Sequence, residues 1–288
     1  MTRTFLCAVA SASILLSAEA TSAAMIVADF NDLTIGTLNN KGGGTGLSGN
    51  WTGSAGGSVV ANDLTSTLYN RPQAGNARRA RSENSSGLRQ NYRTIAVSPT
   101  GTVWFSFLAR AEASASQAGL SINAPTPTPF NDPGTFYAYL SGSTLQYQFG
   151  AGTAGSAANV ATVNSTALVV GRITIAGSGG ADAVTLWVNP DLIANPNIDA
   201  YTPVYNNASV NALDTFSHIG VVASRFDGGN TGAGNVDNIR ISDGNGNAAT
   251  AYTDVTGVTA VPEPTSLALL SLGGVALLGR RRSIARKA

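Results

Sequence analysis
Cysteine is almost missing from this chain: of 288 residues one is a cysteine, Cys7. A disulfide framework is therefore excluded, and stability has to come from core burial, hydrogen bonds or a bound metal. Charge is scarce too, at 11% of residues, against roughly 25% in ordinary globular proteins. Histidine occurs once, as His218, and glutamate only as Glu19, Glu83, Glu112 and Glu263. Lys41 is the sole lysine before the C-terminal tail. Amphipathic helical periodicity is nearly absent before Val261, which argues against a helical or α/β fold.

The two ends stand apart from the rest. Arg3, the apolar stretch Phe5–Leu16 and the small residues Ser17–Ala24 have the three parts of a secretory signal peptide, with cleavage expected after Ala23 or Ala24. At the other end, Val261-Pro262-Glu263-Pro264 is followed by the uncharged run Thr265–Gly279 and then by Arg280, Arg281 and Arg282. A bilayer core needs about 20 helical residues. The run of 15 residues spans only ~22 Å as a helix. It is a thin transmembrane segment, workable if the arginines snorkel and the bilayer thins. Those arginines would stay cytoplasmic and place everything before Val261 outside. The expected organisation is a signal peptide at 1–24, an ectodomain at 25–242, a spacer at 243–260 and a tail at 261–288.

With both ends set aside, 11 basic and 14 acidic groups remain, a net charge of −3. No basic surface is implied, and nucleic acid is not expected as a partner.

Between the ends, period-two alternation recurs with turn residues between the runs. Thr102–Arg110 is the clearest strand. Val103, Phe105, Phe107 and Ala109 share one face, and Trp104, Ser106, Leu108 and Arg110 the other. Apolar character on both faces predicts a central strand covered on each side. Thr135–Leu140 with Thr144–Phe149, and Leu168–Ala176 with Ala183–Val188, read as hairpins. Lys41–Gly57 reads as a long Gly-rich loop, and a helical turn is expected near Asp191–Ala194. Met25–Phe30, Thr215–Ala223 and Asn235–Ser242 complete an all-β reading: one antiparallel β-sandwich ectodomain.

Two resemblances follow from these residues. The tail resembles the PEP-CTERM protein-sorting signal of bacteria, on Val261, Pro262, Glu263 and Pro264, the apolar run, and Arg280, Arg281 and Arg282. It implies recognition by the membrane enzyme exosortase, processing near the motif, and delivery to the cell surface or extracellular matrix, with a membrane-anchored stage before processing. The body, through TVWFSFLAR, VTLWVNP and VDNIRIS, is similar to concanavalin/laminin-G-type jelly-roll domains. That likeness implies a structural calcium tying the N-terminal segment to a final-strand aspartate, with Asp29, Asn31 and Asp237 as ligands. The parity of Ile239 and Ile241 puts Asp237 toward the core, where a carboxylate needs a cation or a partner. The alternative is that Asp237 caps a turn or pairs with an arginine. Asp243–Asn247 with Asp254 also has a calcium-loop look, but Ala248 stands where Gly is needed and Asp254 where a bidentate Glu belongs.

Catalytic constellations are missing together. No Gly-x-Ser-x-Gly accompanies His218, and the Glu-x-Asp-x-x-Glu strand of jelly-roll glucanases is absent, leaving Glu83 and Glu112 as the ectodomain's glutamates. No catalytic residue is assigned. Trp104 and Trp187 lie opposite their strands' aliphatic faces, so they are either sugar-stacking platforms on an open sheet or a second layer of core. Trp51, Tyr69, Tyr92, Tyr137, Tyr139 and Tyr147 are further stacking candidates. Arg71–Arg93 is either a site for an anionic sugar or phosphate, or a solvated loop and edge strand. The functional expectation is a non-catalytic surface or matrix protein that binds polysaccharide; the alternatives are a polysaccharide-active enzyme with an unrecognised site, or a structural matrix component.

Overall fold
The computed structural model describes residues 24–53, 57–71, 77–82, 90–124, 134–149, 153–177, 180–210, 213, 216–225 and 232–260. The expected signal peptide and the tail from Val261 lie outside these residues. Among the described residues no helix is long and apolar enough to cross a membrane.

The strands are β1 (Met25–Ala28), β2 (Gly36–Thr37), β3 (Leu47–Gly53), β4 (Gly57–Ala61), β5 (Arg78–Ser82), β6 (Gln90–Ile95), β7 (Thr102–Ala111), β8 (Ser116–Ile122), β9 (Phe136–Ser141), β10 (Thr144–Phe149), β11 (Thr153–Ala157), β12 (Ala167–Thr174), β13 (Asp182–Val188), β14 (Tyr205–Val210), β15 (His218–Arg225) and β16 (Gly234–Ser242). One sheet runs β14-β13-β12-β7-β16-β5-β4-β2, with β1 also paired to β16; the other runs β11-β10-β9-β8-β15-β6-β3. Every pairing is antiparallel. Neighbours in the sheets come from distant parts of the chain, as in a jelly-roll sandwich. The expected Lys41–Gly57 loop supplies β3 and the start of β4, and its Trp51 is buried against Phe30.

Strand β7 shows why the sandwich forms. Its Val103, Phe105, Phe107 and Ala109 enter the core between the sheets, facing Leu120, Ile122, Phe136 and Ile219 from the opposite sheet. Gly171 of β12 sits opposite Phe105. A Cβ there would come within 2.0 Å of the Phe105 ring, so the glycine makes room for an aromatic. The two-residue turn between β9 and β10 uses Gly142 at φ 58°, as such hairpins require.

A second apolar layer lies on the outer face of the nine-stranded sheet. Residues 243–260, read from sequence as a spacer, fold instead. Asp243 caps a 3-10 turn at Gly244–Gly246, and helix α1 (Ala248–Thr256) follows, with the Asn247 side chain accepting from Ala249 N and Thr250 N. Nine residues are too few for a helix to persist alone. α1 is held by burying Ala251, Tyr252 and Val255 against Trp104, Leu108, Val170 and Trp187. Ser106 Oγ donates to Val255 O at 2.7 Å and Tyr252 Oη to Pro196 O at 2.8 Å, fixing the helix to the sheet and to a neighbouring strap. The single helical turn expected near Asp191–Ala194 is present, closed by Asn195 N donating to Asp191 O at 2.9 Å, and the strap adds a 3-10 turn at Ile198–Ala200.

Candidate functional site: a groove at the N-terminal end of α1
Strand register builds the site. Trp104 of β7 pairs with Arg172 of β12, Arg172 with Thr185 of β13, and Thr185 with Asn206 of β14. These four side chains therefore form one cross-strand row on the outer face. Thr102 and Thr174 pair in the next row. With Ala248, the first residue of α1, they line a groove of about 310 Å³.

The expectation that Trp104 and Trp187 are open stacking platforms is corrected. They are 4% and 2% exposed, stacked on each other at 5.9 Å, with Tyr252 edge-on to Trp104 at 5.0 Å. α1 and the strap cover them, which makes them the second core layer. What remains accessible is charge and hydrogen bonding at their edge. The Arg172 guanidinium lies over both rings, 5.3 Å from Trp104 and 5.6 Å from Trp187. Trp187 Nε1 donates to Tyr201 O at 3.2 Å, whereas Trp104 Nε1 is buried without a hydrogen-bond partner. A buried indole N–H left unpaired costs about 1–3 kcal/mol. Arg172 meets Asp199 at 3.6 Å, with that aspartate side chain half exposed. Thr185 Oγ1 donates to Asn206 Oδ1 at 3.2 Å.

The expected calcium ligands carry hydrogen bonds from the protein, and the β1–β16 register, with Ala28 opposite Ile239, runs Asp29 alongside the start of the β16 bulge. Asp29 Oδ1 accepts from Asn31 N at 3.3 Å, and Asn31 Oδ1 from Arg78 N at 2.9 Å. Asp237 does not point into the inter-sheet core. A bulge between Asp237 and Arg240, with Asn238 at φ 46°, breaks the strict alternation. Asp237 therefore pairs with Leu108 on the outer face and accepts from Leu64 N at 2.8 Å and Asn238 N at 2.7 Å. Both of these partners are N–H donors, whereas calcium prefers six to eight oxygens. Among the described residues no three His, Cys, Asp or Glu side chains converge as a metal site.

Other candidates are structural. Arg79 is buried in β5, which lies inside the sheet between β16 and β4 and so is not an edge. It donates to Asn235 Oδ1 at 2.7 Å and to the carbonyls of Ala61 and Asn62. Burial pushes Glu112 up. The hydrogen bond from Asn235, the charge of Arg81, the Ala233 N–H and Arg110 outweigh that and hold it below the ordinary carboxylate range. It is thus a fixed anion, unsuited to act as a general acid. Burial lowers the pKa of His218, which contacts Ser217 Oγ and the Tyr92 ring on the seven-stranded sheet. Tyr137 is fully buried, Tyr139 donates to Gln146 Oε1 at 2.5 Å, and Tyr147 packs on Tyr205 at 4.1 Å. Tyr69 Oη accepts from Asn238 Nδ2 at 2.6 Å. A second cavity of about 380 Å³, lined by Asp63, Leu64, Tyr69 and Arg71 among others, adjoins the C-terminal end of α1. There Arg71 donates to Thr253 O and Asn70 N to Thr256 O.

Sandwich and outer layer together define the class of the domain: an antiparallel β-sandwich of jelly-roll type, with a short helix docked on one sheet. The chain is marked more specifically by its C-terminus, where residues 260–282 match the family model of the PEP-CTERM protein-sorting motif. That motif makes the chain an exported protein and implies processing by exosortase. No curated protein matches the sequence. Solved structures with a similar fold include a family 131 glycoside hydrolase catalytic domain from Coprinopsis cinerea (13% identity, 74% of this chain and 91% of that one, TM-score 0.43). The carbohydrate-binding module CBM66 from Bacillus subtilis is also similar (10% identity, 63% and 96%, TM-score 0.34). So is the receptor-binding domain of botulinum neurotoxin mosaic serotype C/D (11% identity, TM-score 0.39), where 71% of this chain spans 46% of the toxin chain.

Proposed function
We propose that the protein is a non-catalytic component of the cell surface or extracellular matrix that holds polysaccharide in the groove at the N-terminal end of α1. The observation that carries this reading is the Trp104–Arg172–Thr185–Asn206 row lining the groove. Sugars are recognised by short-range hydrogen bonds to hydroxyls beside apolar ring faces, and this row supplies donors, hydroxyls and aromatic edges together. Glu112, one of the two ectodomain glutamates, is bound by two arginines and held as an anion, which does not suit it to acid catalysis.

Glycan binding and reducing-end release by the purified ectodomain test the reading together. Binding without release is expected, weakened by Asn206→Ala and Thr185→Ala. Reducing-end release would instead assign a polysaccharide-active enzyme, and neither binding nor release a structural matrix component. A membrane-anchored stage through 265–279 belongs to the same proposal and is checked by fractionation of cells that lack exosortase. For calcium, an ion at Asp29, Asn31 and Asp237 would have to displace the N–H donors on Asp237. We therefore expect an unchanged melting temperature in chelator; a fall of several degrees would assign the ion.

A further inference from the structure
The residues that line the groove include a guanidinium and an amide but no carboxylate, and this bears on what it selects. Arg172 lies across the Trp104 and Trp187 faces and, among the described residues, is ion-paired with Asp199 at 3.6 Å. A pair this exposed is worth only about 0–1 kcal/mol, so an incoming anion competes with it easily. Asn206 spends its carbonyl oxygen on the Thr185 hydroxyl, which leaves its amide NH2 as the group able to bind elsewhere. Ala248 brings the N-terminal end of a nine-residue helix to the same groove, the positive end of its dipole. The Asp199 side chain that pairs with Arg172 is 51% exposed. The Asp254 carboxylate is engaged by Ser242 Oγ at 2.6 Å.

We infer that the groove selects polysaccharides whose sugars carry an anionic group, with the Arg172 guanidinium and the Asn206 amide as the donors that bind its oxygens. This rests on the glycan-binding reading above and narrows it. The whole ectodomain is already negatively charged, at −3, so general attraction does not supply the selectivity and the local donors must. A carboxylate or a sulfate ester meets the same donors, and the two are separated by the choice of probe.

Binding of the purified ectodomain to four probes decides this: oligogalacturonate, its carboxyl-reduced form, dextran sulfate and neutral dextran. Acidic probes are expected to bind at least tenfold more tightly than the neutral ones, less so as salt is raised. Oligogalacturonate alone would identify carboxylate as the group, and dextran sulfate alone would identify sulfate. Arg172→Ala is expected to weaken acidic binding by about ten- to hundredfold, the scale of a lost charged hydrogen bond. Because Arg172 also packs on tryptophans, Asp199→Asn provides an independent check at an exposed position. It releases the arginine and is expected to tighten acidic binding by a few fold with the melting temperature unchanged. Equal binding of reduced and acidic forms, or acidic binding indifferent to both substitutions, overturns the inference and leaves the glycan-binding reading in place. No binding to any of the four, together with none to other neutral glycans, overturns both.

Discussion
Asp182, Asp237 and Asp243 are used as crosslinks between segments far apart in sequence, the work that disulfides do elsewhere. Asp243 Oδ1 accepts from Ala24 N at 3.0 Å and its Oδ2 from Thr100 N at 3.2 Å. Asp182 joins Ala176 N and Leu213 N at 2.9 and 2.7 Å. Glu112 gathers Arg81, Arg110, Asn235 and Ala233 around one carboxylate. Since its folded pKa lies below its unfolded value, Glu112 stabilises the fold above about pH 4.3, and that contribution is lost as pH falls through the folded pKa. Glu112→Gln should cost about 2 kcal/mol at pH 7 and flatten the loss of stability below pH 4.3, read by urea denaturation across pH. None of these staples was legible in the sequence. An aspartate's role depends on which amide the fold brings to it, and Leu64 and Asp237 are 173 residues apart.

Among the elements, β7 and the hairpins were legible because a strand's alternation is local. Both faces of Thr102–Arg110 are apolar, and both are covered. The bulge at Asn238 was not legible. It comes from one extra residue of β16 against β7, and it moves Asp237 to the opposite face from the one alternation assigns. At Gly171 a methyl group has nowhere to go but into Phe105. Gly171→Ala should therefore destabilise by about 1–3 kcal/mol, even though alanine suits a strand better than glycine does. Helix α1 depends on its packing. Tyr252→Ala should cost about 3–5 kcal/mol, the scale of removing a large buried aromatic, measurable by thermal or urea unfolding. Asn247→Ala should cost about 1 kcal/mol through the lost cap.

At the scale of the molecule, the described fold runs to Ala260, the first residue of the matched sorting motif. A chain ending at Ala260 should thus fold like the full ectodomain. One ending at Ser242 should expose Trp104 and Trp187, seen as a red-shifted tryptophan fluorescence and a lowered melting temperature. Sequence by itself determined the all-β class, the sandwich and the sorting tail, because alternation, turn residues and a contiguous motif are written in neighbouring positions. It also brought Trp104 and Trp187 to notice, with open platform and second core layer as the two readings. Tertiary structure alone decided between them, placed 248–256 as a lid over both rings, and aligned Trp104, Arg172, Thr185 and Asn206 into one row. Those outcomes depend on register and packing between distant segments, which no local pattern encodes.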